Sequence, residues 1–242
     1  MRDTFQGEFV RKLPRIQRSI EANTRMEAPR FEFKLLPGKI GYIVLNTLRE
    51  AAVIDDFRAA FGDIEKTDGL IIDIRNNHGG NVNYSDKILG CLTNRAVDTE
   101  TIESPVYRTW IGTTGLMLHR RQSITRRLQP DGSLWYRNPV ALLIGPHTAS
   151  AAESFAVAFD VMRRGKMIGQ PTAGTNGQPV SVSLPGGGFA SIASTRVRYA
   201  NGKGFMFTGV KPDIYIQPRL ADLRDRRDVV LTAALQYLHS SR

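Results

Sequence analysis

Residues 140–144, Val-Ala-Leu-Leu-Ile, form an unbroken apolar run that leads into Gly145-Pro-His-Thr-Ala-Ser-Ala-Ala-Glu-Ser154. A run of that length, closed by Gly-Pro, reads as a strand buried on both faces. Residues 151–163 then read as a helix. Small side chains, Thr148 to Ala152, crowd the junction. A strand-to-helix turn of this kind can hold a hydroxyl at the mouth of a sheet. The first amides of the new helix then point at the same spot, which suits acyl transfer by a serine nucleophile. Ser150 with Glu153 three residues on also fits an ordinary capping box.

The elements around this turn alternate. A helix is expected over residues 3–24, split at Pro14, with strands at 31–35 and 41–46 and a helix over 48–62. A buried strand follows at 69–75, then a loop at 76–80 and a helix over 84–92. Residues 99–110 read as extended, and 111–128 allow a helix. Strands at 178–184 and 189–199 flank Pro185-Gly-Gly-Gly188, a clear hairpin signal, and residues 225–237 form a closing helix. Strands alternating with helices predict an α/β fold with a largely parallel sheet plus β-hairpins. Residues 1–30 are expected as an N-terminal helical segment and 31–242 as one core domain. In such sheets the working loops lie at the carboxyl ends of strands, which singles out 76–80 and 145–150.

Composition narrows the partners. With 242 residues and 41% apolar content the chain can bury a sizeable core. The 33 basic and 23 acidic residues leave a net charge of +10. The basic residues are scattered, without interleaved aromatic platforms, so no nucleic-acid partner is expected. No apolar run approaches the roughly 20 residues of a membrane span. Met1 to Glu8 lack an apolar core, so no signal peptide is expected. The single cysteine, Cys91, excludes a disulfide within the chain and reads as a small buried apolar residue. No metal-ligand spacing occurs, and no cofactor or metal is expected.

Gly79-Gly80 after a buried strand can turn backbone amides outward. One of these amides, with the amide of Ala151, would form an oxyanion hole beside Ser150. At this point four motifs carry a resemblance. Gly69-Leu-Ile-Ile-Asp-Ile-Arg-Asn-Asn-His-Gly-Gly80, Thr148-Ala-Ser-Ala-Ala-Glu153, Ile168-Gly-Gln-Pro-Thr-Ala-Gly174 and Gly209-Val-Lys-Pro-Asp213 occur in order. Together they resemble the tail-specific, or C-terminal processing, serine peptidase family, which includes tricorn cores and the repeats of interphotoreceptor retinoid-binding protein. The resemblance implies a ClpP/crotonase-like ββα superhelix core and serine-type hydrolysis of a peptide or ester. It implies Ser150 as nucleophile, with Ala151, Gly79 and Gly80 as oxyanion donors. Family members are often exported and often carry a PDZ module, for which residues 1–30 have no room; the compartment stays unassigned and a homo-oligomer stays open.

Two departures stand out. The family's general-base lysine falls at Thr175, which cannot accept a proton near neutral pH. The histidine and glutamate of the tricorn-like branch fall at Val44 and Thr208. Substitute bases are His78, on the glycine loop itself, and then His147, His119, His239, Lys166 and Lys203. The chain is therefore read as a serine hydrolase with an atypical base. The alternative is a catalytically degenerate module that binds peptide tails or lipid-like ligands on the same fold.

Overall fold

The structure is a computed structural model that describes residues 28–106 and 121–241. The helix expected over 3–24 lies outside the described residues, as does His119.

A six-stranded sheet runs through the core. Its strands are β1 (Phe31–Leu36), β2 (Ile40–Leu45), β3 (Gly69–Asp73), β6 (Val140–Ile144), β7 (Gly165–Gly169) and β11 (Ile214–Tyr215), in the order β1-β2-β3-β6-β7-β11. The first pair is antiparallel and the rest are parallel. Helices cover both faces. The larger core packs α1 (Ala52–Ile64), α2 (Val82–Leu89) and α3 (Ala151–Met162) against one face; the smaller packs α5 (Val229–Ser240) against the other. The central strands show why their sequences are continuously apolar. Val140, Leu142 and Ile144 enter the larger core, while Ala141 and Leu143 between them enter the smaller one.

A second sheet, β10 (Arg196–Tyr199), β4 (Val97–Pro105) and β5 (Arg121–Leu128), is antiparallel and packs on α3. Here one expectation fails: residues 121–128 form a strand, not the end of a helix. Arg126 ties β5 inward by ion pairs to Glu100 (2.5 Å) and Asp86 (2.7 Å). The pairing of β5 with β4 overrides any local helical tendency. The expected hairpin is present as β8 (Pro179–Ser183) and β9 (Phe189–Ala193), a separate two-stranded ribbon, but the strand expected over 189–199 breaks after Ala193 and resumes as β10 in the other sheet. A short helix, α4 (Leu220–Arg224), precedes α5. Among the described residues, no helix is long and apolar enough to cross a membrane.

One polar hub fixes the end of β3. Arg75 bonds Asp73 (2.6 Å) and also Asp228 (2.7 Å), the residue that caps α5 through the Leu231 amide. Tyr42 donates to the same Asp73 (2.7 Å). Burial alone would raise the Asp228 carboxyl, but the bonds from Arg75 and the helix amides outweigh it and hold its pKa below the ordinary value. Arg75→Met should lower stability by about 2–3 kcal/mol at pH 7, less than for a fully buried pair because Asp228 is partly exposed. The stabilisation exists above the unfolded carboxylate pKa of about 3.9 and is lost as pH falls through the lower folded value. Urea unfolding at pH 7 and near pH 2 should therefore separate wild type from variant only at the higher pH.

Candidate active site

The carboxyl ends of β2, β3 and β6 meet over one small patch. Asn77 joins them: its side chain donates to the Leu45 carbonyl (2.9 Å) and accepts from the Gly79 amide (2.8 Å). Its carbonyl accepts from the Ala149 amide (3.0 Å). Thr148, fully buried, donates to the Ile74 carbonyl (2.9 Å) and accepts from the Gly145 amide (3.1 Å). The two loops singled out by the sequence are thus bonded to each other. Asn77 and Thr148 were not. Their signal was a polar side chain directly after a buried run, able to bond backbone two or three residues away.

Ser150 sits at φ 54°, ψ −124°, a conformation that a residue with a Cβ adopts only under constraint. The constraint is visible: its amide donates to the Thr175 carbonyl (2.9 Å). Its carbonyl accepts from Glu153, Ser154 and the Asn176 side chain. Its hydroxyl makes no cap to α3, and the residue is partly exposed. The Ser150 hydroxyl half of a capping box is therefore absent. Glu153 is fully buried, accepting from the Thr172 hydroxyl (2.6 Å) and the Gly174 amide (2.6 Å).

The glycines are required by space. A Cβ on Gly79, at φ 93°, would stand 2.7 Å from the Ala149 oxygen and 2.8 Å from both the Ala151 nitrogen and the Ser150 Cβ. A Cβ on Gly80 would overlap the Leu48 carbonyl at 2.1 Å. The two glycines differ as donors. The Gly79 amide is already bonded to the Asn77 side chain (2.8 Å). Gly80 forms a parallel bridge with Leu48 in which its neighbours make the bonds, through the Gly79 carbonyl and the Asn81 amide. In that pattern the Gly80 amide faces away from Leu48.

The substitute bases separate cleanly. His78 is exposed and lies edge-on to His147, ring centroids 5.8 Å apart; no hydrogen bond joins it to Ser150 among the described residues. Lys166 sits near the start of β7, at the opposite end of the sheet, bonded to Asp213 (3.3 Å). Lys203 lies over the Tyr199 ring. His239 is on α5 beside Gly38, in the turn before β2. Thr175 has an exposed side chain, and Val44 lies on β2 in register with Asp73. Burial pushes the Cys91 thiol up to about 12, which removes it as a nucleophile.

Glu153 carries an oxygen, Oε2, without a partner among the described residues. Burial raises its carboxyl pKa despite the bonds from Thr172 and Gly174. The native state then keeps its proton to higher pH than the unfolded chain. Stability should fall as pH rises from about 4.3 through the raised folded value. Glu153→Gln keeps the acceptor and removes the titration. It should be at least as stable as wild type at pH 7 and should flatten the unfolding profile above about pH 4.3.

Comparison with known proteins gives the family and the fold. The model of the peptidase S41 family matches residues 39–216. A carboxy-terminal-processing protease of Bartonella bacilliformis is 25% identical over 201 residues, 80% of this chain and 42% of that protein. The chloroplastic C-terminal processing peptidase of Tetradesmus obliquus is 25% identical over 185 residues, 75% of this chain and 36% of that one. The chain thus spans less than half the length of these relatives. Among solved structures, mature CPAF complexed with lactacystin superposes with a TM-score of 0.71 at 17% identity, covering 87% of this chain and 55% of that one. The photosystem II D1 C-terminal processing protease gives 0.61 at 23% identity, covering 81% and 50%. These likenesses carry the α/β fold.

Proposed function

Because the chain belongs to peptidase family S41, we propose that Ser150 is the nucleophile of a serine-type hydrolase acting on a peptide or ester bond. The observation that carries the reading is the strained, uncapped Ser150, held by Thr175 and packed against Gly79. Strain of this kind is maintained where a hydroxyl must be presented from a sharp strand-to-helix turn.

The Ser150 oxygen attacks the carbonyl carbon, and its proton passes to a base. The developing oxyanion accepts hydrogen bonds from the Gly80 and Ala151 amides. The leaving amine or alcohol departs with a proton, and water then cleaves the acyl-serine, restoring the hydroxyl. We assign His78 to take the Ser150 proton. It is exposed and adjoins Gly79, where an added Cβ would stand 2.8 Å from the Ser150 Cβ. An ester asks less of that base than an amide does, because its leaving group is better. Residues 31–242 serve as the catalytic core in this reading.

Turnover of p-nitrophenyl esters and of a mixed peptide library tests the proposal. Wild type should hydrolyse at least one class, Ser150→Ala should lose at least ~10³-fold, and His78→Ala at least tenfold. A second reading, a non-catalytic module binding peptide tails or lipid-like ligands, draws on Thr175 and Val44 standing where the family's bases would be. It predicts ligand binding without turnover, equal in wild type and Ser150→Ala.

A further inference from the structure

A cleft of about 570 Å³ opens between the β10-β4-β5 sheet and the segment 202–207. The loop 174–177 links it to Ser150. On one side, Thr175 and Asn176 bond the Ser150 backbone. On the other, the Gly174 carbonyl accepts from Phe207 (2.7 Å), and the Gly177 carbonyl accepts from Ser194 (2.9 Å) and Thr195 (3.0 Å). Four extended residues span at most about 14 Å. A peptide cleaved at Ser150 therefore reaches the cleft within a few residues of the scissile bond.

The cleft is cationic. In the register of its sheet, Arg196 lies opposite Glu103 and Pro105 opposite Arg121, so Arg121, Arg196 and Arg198 share one face with Glu103. Glu103 answers Arg198 (2.5 Å). Arg121 and Arg196 are exposed and have no acidic partner among the described residues. Met206 and Phe207 supply an apolar flank, with Phe207 91% exposed at φ 69°. Two unanswered guanidinium groups beside apolar wall fit carboxylates on an extended chain.

Resting on the hydrolase reading, we infer that this cleft selects peptides bearing acidic side chains about three to five residues from the cleaved bond. The net charge of +10 draws such chains in, and the two free arginines fix their register.

The test uses the full chain carrying Ser150→Ala, with fluorescein-labelled decapeptides containing two central Glu residues or two Gln, each C-terminally amidated or free. Anisotropy at 50 mM salt should show the Glu peptides binding at least tenfold tighter, with the difference shrinking at 500 mM salt. Arg196→Glu should abolish or reverse the preference, Arg196→Lys should retain most of it, and Arg121→Glu should weaken it independently. Unchanged thermal midpoints show that these variants fold. Equal binding of Glu and Gln peptides overturns the inference, as does a preference untouched by Arg196→Glu. A preference that depends on the free terminus rather than on Glu also overturns it. Fluorophosphonate labelling of wild type keeps the two claims apart. Labelling without acidic preference sinks the cleft alone; acidic preference without labelling sinks the substrate role and the hydrolase reading together.

Discussion

Gly79→Ala is expected to slow acylation of Ser150 by about 10²–10³-fold while leaving the protein folded. The new methyl would lie 2.7–2.8 Å from Ala149, Ser150 and Ala151, closer than a Cβ comes to any neighbour, and at a φ of 93° that resists a side chain. The backbone there belongs to the nucleophile turn itself, so relief moves Ser150 away from the Gly80 and Ala151 amides. Losing one oxyanion donor costs about 10²–10³ in rate, and a displacement near 1 Å costs about 10². The stability cost is smaller, about 1–3 kcal/mol, typical of strain at one residue. Second-order labelling rates with a fluorophosphonate, beside a urea melt, separate the two. A variant that labels at the wild-type rate would mean that the glycine loop plays no part in the chemistry.

Thr175→Lys should have the opposite effect, raising the labelling rate about 10²-fold or more at pH 9. Position 175 is bonded to Ser150 through its carbonyl, and its side chain is exposed, so an amine can be added without disturbing the core. General-base assistance contributes about 10²–10⁴-fold. The gain should grow with pH as the lysine loses its proton, whose reference pKa is near 10.4. Thr175→Met, of similar length without an amine, should stay at the wild-type rate. If both variants behave alike, the missing lysine is not what limits Ser150.

The sequence announced the parts of this fold that are local or buried on both sides. β6 is apolar at every position, and β3 from Leu70 to Ile72, because the sheet has a core on each face. The β8–β9 ribbon was legible from three glycines after Pro185. β5 was not legible, because its stability comes from β4, some 25 residues earlier, and from Arg126 reaching Glu100 and Asp86. At the site, the motifs marked the two loops but not the bonds between them. Ser150 with Glu153 has the same spacing in a cap and in a nucleophile turn. The backbone φ of 54° and the uncapped hydroxyl are features that no spacing records. Likewise no spacing records that the Gly79 amide is bonded to the Asn77 side chain.

The most direct measurement is mass-spectrometric mapping of the adduct formed when folded protein meets a fluorophosphonate. The account predicts one phosphonylated residue, Ser150, and no adduct on the Ser150→Ala variant. Folded protein that stays unmodified from about pH 6 to 10, across the histidine and lysine titrations, would contradict it, and so would an adduct that forms equally well without Ser150.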